Sequence, residues 1–289
     1  MVYQQNVNNH GLDLDREARE ISEEDWRFGA TSPICIALIP TEDRVGYLPK
    51  GEIQATSFDD MMDCASRSPI NILETKFNYL YQNNKLTYRQ RQWLEINGYV
   101  TERGIEFSDA YIAILSNTTR RGNSLKAPLD AIRRHGLIPK YMLPLESHMT
   151  FEEYHHHLRI TPYMRALGKE FLTMWQLHYD RVNHTQYRDA LEIDMLNLAG
   201  FAWPHPDADG IYQRTGLNPN HAFVGVLKEP PYLIFDNYID PFDDNFKKRL
   251  AEDYDLLHYA YRLFIVKPGT KPQSWWQSLL TAIRRFFRL

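Results

Sequence analysis

Apolar residues recur at three- and four-residue spacing over Ile70 to Tyr81, where Ile70, Leu73, Phe77, Leu80 and Tyr81 share one face, and that spacing predicts a helix. A second stripe of Leu125, Leu129 and Ile132 predicts a helix over Ser124 to His135. Ser124 is its cap, or the start lies nearer Pro128, and Gly136 ends it. The longest helical pattern runs from Met164 to Val182 through Leu167, Phe171 and Trp175, and another covers Tyr187 to Leu198. Upstream, Ile34 to Ile39 is an unbroken apolar run between Pro33 and Pro40 and reads as a buried strand. A turn at Thr41 to Arg44 and an extended piece to Pro49 follow it.

The period changes after Asn218. His221 to Leu227 and Tyr232 to Ile239 are short β-rich runs joined by Lys228-Glu229-Pro230-Pro231, so they predict a hairpin. Leu256 to Val266 predicts a last strand. Helices come first and strands later, which gives an α+β class rather than alternating βαβ units.

The chain divides into a polar N-terminal extension (1–28) with an acidic helical stretch through Ile21, a main domain (29–267), and a linker with an amphipathic tail (268–289). Trp275, Trp276, Leu279, Leu280, Ile283, Phe286 and Phe287 share one broad face of the tail helix Trp275 to Leu289, and Arg284, Arg285 and Arg288 crowd its end. Three destinations stay open for it: a membrane surface, a partner protein, or its own domain.

Composition narrows the function classes. The 289 residues are 43% hydrophobic and 24% charged, which is globular and sufficient for a sizeable core. A net charge of −4 offers no basic excess for nucleic acid. Met1 to Arg19 has neither the basic nor the apolar region of a signal peptide, which sets the expected location as the cytoplasm of the producing cell, with packaging into a virion left open. The two cysteines, Cys35 and Cys64, are too few for a secreted disulfide scaffold. Cys35 reads as a small core residue. His155, His156 and His157 are consecutive, so their side chains diverge and predict no metal site. No cofactor is implied.

Cys64 differs from Cys35 because it lies just ahead of the Ile70 helix, where a helix N-terminus favours a thiolate. A cysteine nucleophile needs a base, a group to orient the base, and oxyanion donors. His221 opens a strand, and Asn237 lies near the end of the next one, within reach to set the imidazole tautomer. Asp236 beside it competes for that role. Gln54 precedes Cys64 and supplies amide hydrogens for an oxyanion. Reactivity requires the Cys64 sulfur to lie beside the His221 ring in an open cleft.

The order Gln54, Cys64, His221, Asn237 resembles that of papain-like cysteine peptidases. Asn220-His221-Ala222 is similar to their histidine strand, and Tyr232-Leu233-Ile234-Phe235-Asp236-Asn237-Tyr238 to their asparagine strand. Ser68 and Glu74 match positions of their central helix. Gly122-Asn123-Ser124-Leu125 through Pro139 and Tyr141 to Pro144 resembles their left-hand domain. The resemblance implies a helical left half whose central helix packs on a right-half antiparallel sheet or barrel. It also implies a Cys64–His221–Asn237 triad with Gln54 at the oxyanion, acting on a peptide or protein. Leu48-Pro49 to Gln54 with Phe58-Asp59 looks most like divergent members encoded by tailed bacteriophages. Several features depart from the pattern, among them the absence of a glycine before and a tryptophan after Cys64 and the placing of Gln54 ten residues ahead of it. Asp63 puts a carboxylate next to the thiol, and Ser68-Pro69 offers a cap and first-turn proline that would start the central helix a turn after Cys64. A papain-like fold without activity, serving in a phage particle, is the alternative.

Overall fold

The computed structural model describes residues 11–23, 25, 27–28, 35–51, 53–202, 206–238, 246–254, 256 and 259–266. The helices are α1 (Leu14–Glu20), α2 (Cys64–Gln82), α3 (Tyr88–Ile96), α4 (Asp109–Leu115), α5 (Lys126–His135), α6 (Phe151–Tyr154), α7 (Pro162–Met174) and α8 (Tyr187–Ile193). The strands are β1 (Val100–Thr101), β2 (Gly104–Ile105), β3 (Gln176–Asn183), β4 (Leu196–Gly200), β5 (Ile211–Tyr212), β6 (His221–Leu227), β7 (Tyr232–Phe235), β8 (Lys247–Leu250) and β9 (Tyr259–Val266). The proposed strand at Ile39 and upstream is not formed over the described residues: Cys35 makes one isolated bridge to Val266, and Thr41–Tyr47 is a 3₁₀ helix rather than a simple turn. The amphipathic tail and its linker lie outside the described residues.

Helix α2 is the axis of the molecule and is buried from Cys64 to Leu80. It begins at Cys64 and not at Ser68-Pro69. The Asp63 carbonyl accepts from the amides of Ser66 and Arg67, so the first turn is closed before Pro69 is reached. Pro69 sits inside the helix, past its first turn, and its missing N–H removes the internal bond that would run to the Ala65 carbonyl. One side of α2 meets α4 and α5; the other lies on β6. An aromatic cluster fills the helical half, with Phe77 and Phe171 packed on each other and each on Phe107 and Trp175, and Phe171–Trp175 centroids 4.8 Å apart.

The sheet order is β3-β9-β4-β6-β7-β8-β5, antiparallel throughout except for the parallel β5–β8 edge pair. Two predicted helices end early to supply strands. Trp175 turns extended after α7, and residues 176–183 alternate faces: Leu177 and Tyr179 join the core under α2, whereas Val182 joins the cluster on the opposite face. Val182 therefore fits a helical stripe by coincidence of spacing. Likewise Asp194 is extended, and Leu196 and Leu198 alternate with Asn197 and Ala199. Among the described residues no helix is long and apolar enough to cross a membrane.

Where it is described, the N-terminal extension is tied to the rest of the chain. Asp13 caps α1 by accepting from the Arg16 amide, and Glu17, 1% exposed, accepts from the amides of Leu125 and Lys126 at the start of α5. The Tyr261 hydroxyl donates to the same carboxylate at 2.7 Å, so α1 is bolted to both halves of the molecule.

Candidate active site

Cys64 is the first residue of α2, and its sulfur accepts from the Ala222 amide at 3.4 Å. His221 opens β6 next to it, and its ring hydrogen-bonds the Cys64 sulfur. That ring also hydrogen-bonds through Nε2 to Asp236 Oδ1 at 2.6 Å. All three side chains are buried, with His221 and Asp236 at 0% exposure.

Asp236, not Asn237, therefore stands at the ring, and the hairpin register explains it. Val224 pairs with Phe235 and Gly225 with Ile234. Continued toward the strand ends, this register sets His221 opposite Tyr238. Side chains alternate faces, so Tyr238 and Asp236 share the histidine's face while Asn237 faces α2. Asn237 indeed accepts from Asn71 of α2 through its side-chain oxygen at 3.3 Å. Tyr238 lays its ring against the imidazole, centroids 5.1 Å apart.

Lys248, missed in the sequence, completes the chain of charges. It donates to Asp236 Oδ2 at 2.9 Å and to the Tyr238 carbonyl at 2.6 Å. Its signal was an inward position in an alternating strand, since Lys248 and Leu250 share the buried face of β8. Burial alone would protonate Asp236, but the Lys248 ammonium, followed by His221, holds its carboxyl well below the usual range. Burial would likewise strip the His221 proton. The Asp236 charge and then the Cys64 sulfur outweigh it and raise the imidazole to about 10.

The carboxylate at Asp63 is directed away from the thiol. Its oxygens accept from Arg67 Nε at 2.8 Å and the Tyr154 hydroxyl at 2.7 Å, and Arg67 also faces Asp109 at 3.3 Å. Gln54 is buried, its amide bonded to the Asn237 carbonyl and its side-chain Nε2 donating to Asp60 Oδ1 at 2.9 Å and to the Tyr238 hydroxyl at 2.7 Å. His155 points Nε2 at the Met61 carbonyl, and among the described residues no cluster of three metal-ligating side chains occurs.

The open cleft expected over Cys64 is not present, because the N-terminal segment crosses it. Leu12 donates its amide to the Asn220 carbonyl on the β half, while Gly11 and Asp13 bond the Asn123 backbone on the helical half. Gly11 lies over the sulfur, leaving Cys64 at 0% exposure. Beside this cover a cavity of about 500 Å³ is lined by Leu12, Asp13, Arg121, Leu217 and Asn220 among others.

No protein-family model and no curated protein sequence matches the chain. Solved structures do. The digestive procathepsin L 3 of Tenebrio molitor larval midgut superposes with a TM-score of 0.51 at 10% identity, over 90% of this chain and 76% of that one. A structure from work on the mite allergens Blo t 1 and Der p 1 gives 0.50 at 10% identity, over 88% and 78%. The fold is papain-like. In this papain-like frame α2 is the central helix, α4, α5 and α7 form the left half, and the mixed sheet carrying His221 forms the right half. Identity this low speaks to the fold alone.

Proposed function

We propose that this chain is a cysteine hydrolase acting on a peptide or amide bond. The observation that carries the reading is one imidazole bonded on one side to the sulfur at a helix N-terminus and on the other to a buried carboxylate. In this reading Cys64 is the nucleophile, His221 carries the proton, and Asp236 fixes the ring, with Gln54 and the Cys64 amide as oxyanion donors.

The Cys64 thiolate attacks the carbonyl carbon, forming a C–S bond, and the carbonyl π pair moves onto oxygen. Collapse of the adduct breaks the C–N bond while the imidazolium gives its proton to the leaving nitrogen. Water then attacks the thioester, His221 takes its proton, and the C–S bond breaks to return the thiolate. Charge on the imidazolium is favoured by Asp236, and the developing oxyanion by the amide donors. Residues 11–13 must leave the sulfur before a substrate carbonyl reaches it.

The substrate class is a peptide or protein. A phage setting, with action on virion protein or cell-wall peptide and packaging into a virion, draws on the sequence resemblance, and cytoplasmic synthesis on the make-up of Met1 to Arg19. Docking of the Trp275–Leu289 segment, read as a helix from its amphipathic pattern, on a partner or membrane is a separate proposal. A second reading, an inactive papain-like fold used for binding, draws on the closed state of Cys64.

Iodoacetamide labelling near neutral pH, followed residue by residue by mass spectrometry, separates the two. Cys64 is expected to outpace Cys35 at least tenfold once the cover is displaced, and Cys64→Ala is expected to keep the fold and lose peptide hydrolysis. Equal, slow labelling of both cysteines with the cover displaced removes the hydrolase reading.

A further inference from the structure

Asp60 is a buried carboxylate that the reaction above does not use. It lies between the three parts of the site that must stay in register. Its Oδ1 accepts from Gln54 Nε2 at 2.9 Å and from the Met62 amide at 2.8 Å, and its Oδ2 accepts from the Tyr238 hydroxyl. Met62 leads into Cys64 through a left-handed backbone turn (φ 52°). Tyr238 is the ring packed on His221, and its hydroxyl oxygen accepts the second Gln54 hydrogen at 2.7 Å. The loop carrying all this is itself clipped at both ends: Gln54 bonds the Asn237 backbone, and Met61 donates to the Gln54 carbonyl.

We infer that Asp60 and Tyr238 are positioning residues that hold the Gln54 amide at the oxyanion site, coupling the donor to the histidine side of the cleft. The inference rests on the hydrolase reading and deepens it. The chemistry is specific to the pair. A carboxylate accepts only, so it fixes which end of the Gln54 amide is nitrogen and turns both hydrogens inward. The Tyr238 hydroxyl takes one of those hydrogens while passing its own to Asp60. An oxyanion arriving above Cys64 is a stronger acceptor than a phenol oxygen, so the hydrogen shared with Tyr238 is the one it draws. The other hydrogen stays on Asp60 and keeps the amide from swinging out. Burial pushes the Asp60 carboxyl up, and its three donors oppose that.

Alkylation and hydrolysis separate this role from a general structural one. Iodoacetamide needs the thiolate but develops no oxyanion; amide hydrolysis needs both. With the full chain, dye-labelled casein as substrate and iodoacetamide as thiol probe, Asp60→Asn is expected to lower kcat about 10- to 100-fold, as a misplaced donor does. Its Cys64 alkylation rate should stay within about twofold of the parent. Tyr238→Phe, which keeps the ring on His221, should lower kcat about tenfold and also leave alkylation and its pH profile unchanged. Because both act through Gln54, Asp60→Asn combined with Gln54→Ala should hydrolyse no more slowly than Gln54→Ala alone.

Unchanged hydrolysis in both single variants, or losses that multiply in the double variant, overturns the inference while leaving the hydrolase intact. Alkylation falling in step with hydrolysis overturns it too, since the residues then act on the thiol pair. Failure of Cys64 to react faster than Cys35 in the parent chain with its cover displaced instead removes the hydrolase reading on which this one stands.

Discussion

Gly11 lies against Cys64 so closely that a Cβ built on it would stand 3.0 Å from the sulfur and 2.6 Å from the Met62 carbonyl oxygen. Its φ of +100° belongs to glycine as well, so neither the space nor the backbone admits a side chain. Gly11→Val should therefore lift the segment off the thiol without touching the catalytic groups. The expected result is at least a tenfold faster reaction of Cys64 with iodoacetamide and an unchanged far-ultraviolet circular dichroism spectrum. Labelling no faster than in the parent would show that the segment is not what limits access.

The register of the hairpin makes Asp236 and Asn237 unequal. Asp236→Asn should lower kcat by about 10⁴, the order expected when the carboxylate that orients a catalytic imidazole becomes an amide. Asn237→Ala should lower it less than about tenfold, since that side chain faces Asn71. Asp236→Asn also leaves Lys248 buried without its carboxylate, at a stability loss of about 3–5 kcal/mol. Adding Lys248→Met should restore much of the denaturation midpoint but none of the activity. A larger loss of kcat in Asn237→Ala than in Asp236→Asn would reverse the assignment.

The charged His221 sets a pH signature. Its folded pKa, about 10, exceeds the usual histidine value of about 6.5. Stability from this group is thus complete below about pH 6.5 and lost as pH rises toward about 10. Asp236 works in the opposite direction. Its depressed pKa contributes stability above about pH 4, which is lost on acidification. Comparing urea midpoints of the parent and His221→Gln across pH 5 to 10 should show the difference narrowing as pH rises. Hydrolysis should fall near pH 10 as the acid for the leaving nitrogen is lost, while alkylation persists. A difference in midpoints that grows with pH would contradict the ion pair.

Arg67 neutralises the carboxylate beside the nucleophile. It is 1% exposed and meets Asp63 and Asp109. Arg67→Met should destabilise by about 3–5 kcal/mol, because it leaves the buried Asp63 carboxylate without its cation and Asp109 with only Lys140, 4.0 Å away. In protein that remains folded, Cys64 alkylation should also slow, as a bare Asp63 charge opposes a thiolate one residue away. Faster alkylation would mean that Asp63 does not sense the sulfur.

The α2 helix, the α5 helix and the His221 hairpin were legible because each carries a clean period: three to four for Leu125, Leu129 and Ile132, and a turn of two prolines for the hairpin. Cys64 and His221 could be paired from their positions at element ends. Asp236 was visible as a competitor to Asn237, but choosing between them requires the strand register, which no local pattern encodes. Val182 and Leu198 fit a helical pattern because a residue seven positions from Trp175 or on an apolar run fits either period once burial is on two faces. The cover over Cys64 was illegible for another reason. Its seat is made of backbone groups of Asn123 and Asn220, and backbone hydrogen bonds leave no residue-type signature.

The bolt between Glu17, the start of α5 and Tyr261 has a kinetic corollary. Only a few residues separate it from Gly11, so a displaced cover stays on a short leash beside the thiol and returns in a unimolecular step. Its local concentration is then on the order of millimolar. An incoming peptide competes with that standing occupant at every turnover, so the leash is expected to show as an elevated KM, and severing the chain between Asp13 and Leu14 should lower KM with kcat preserved.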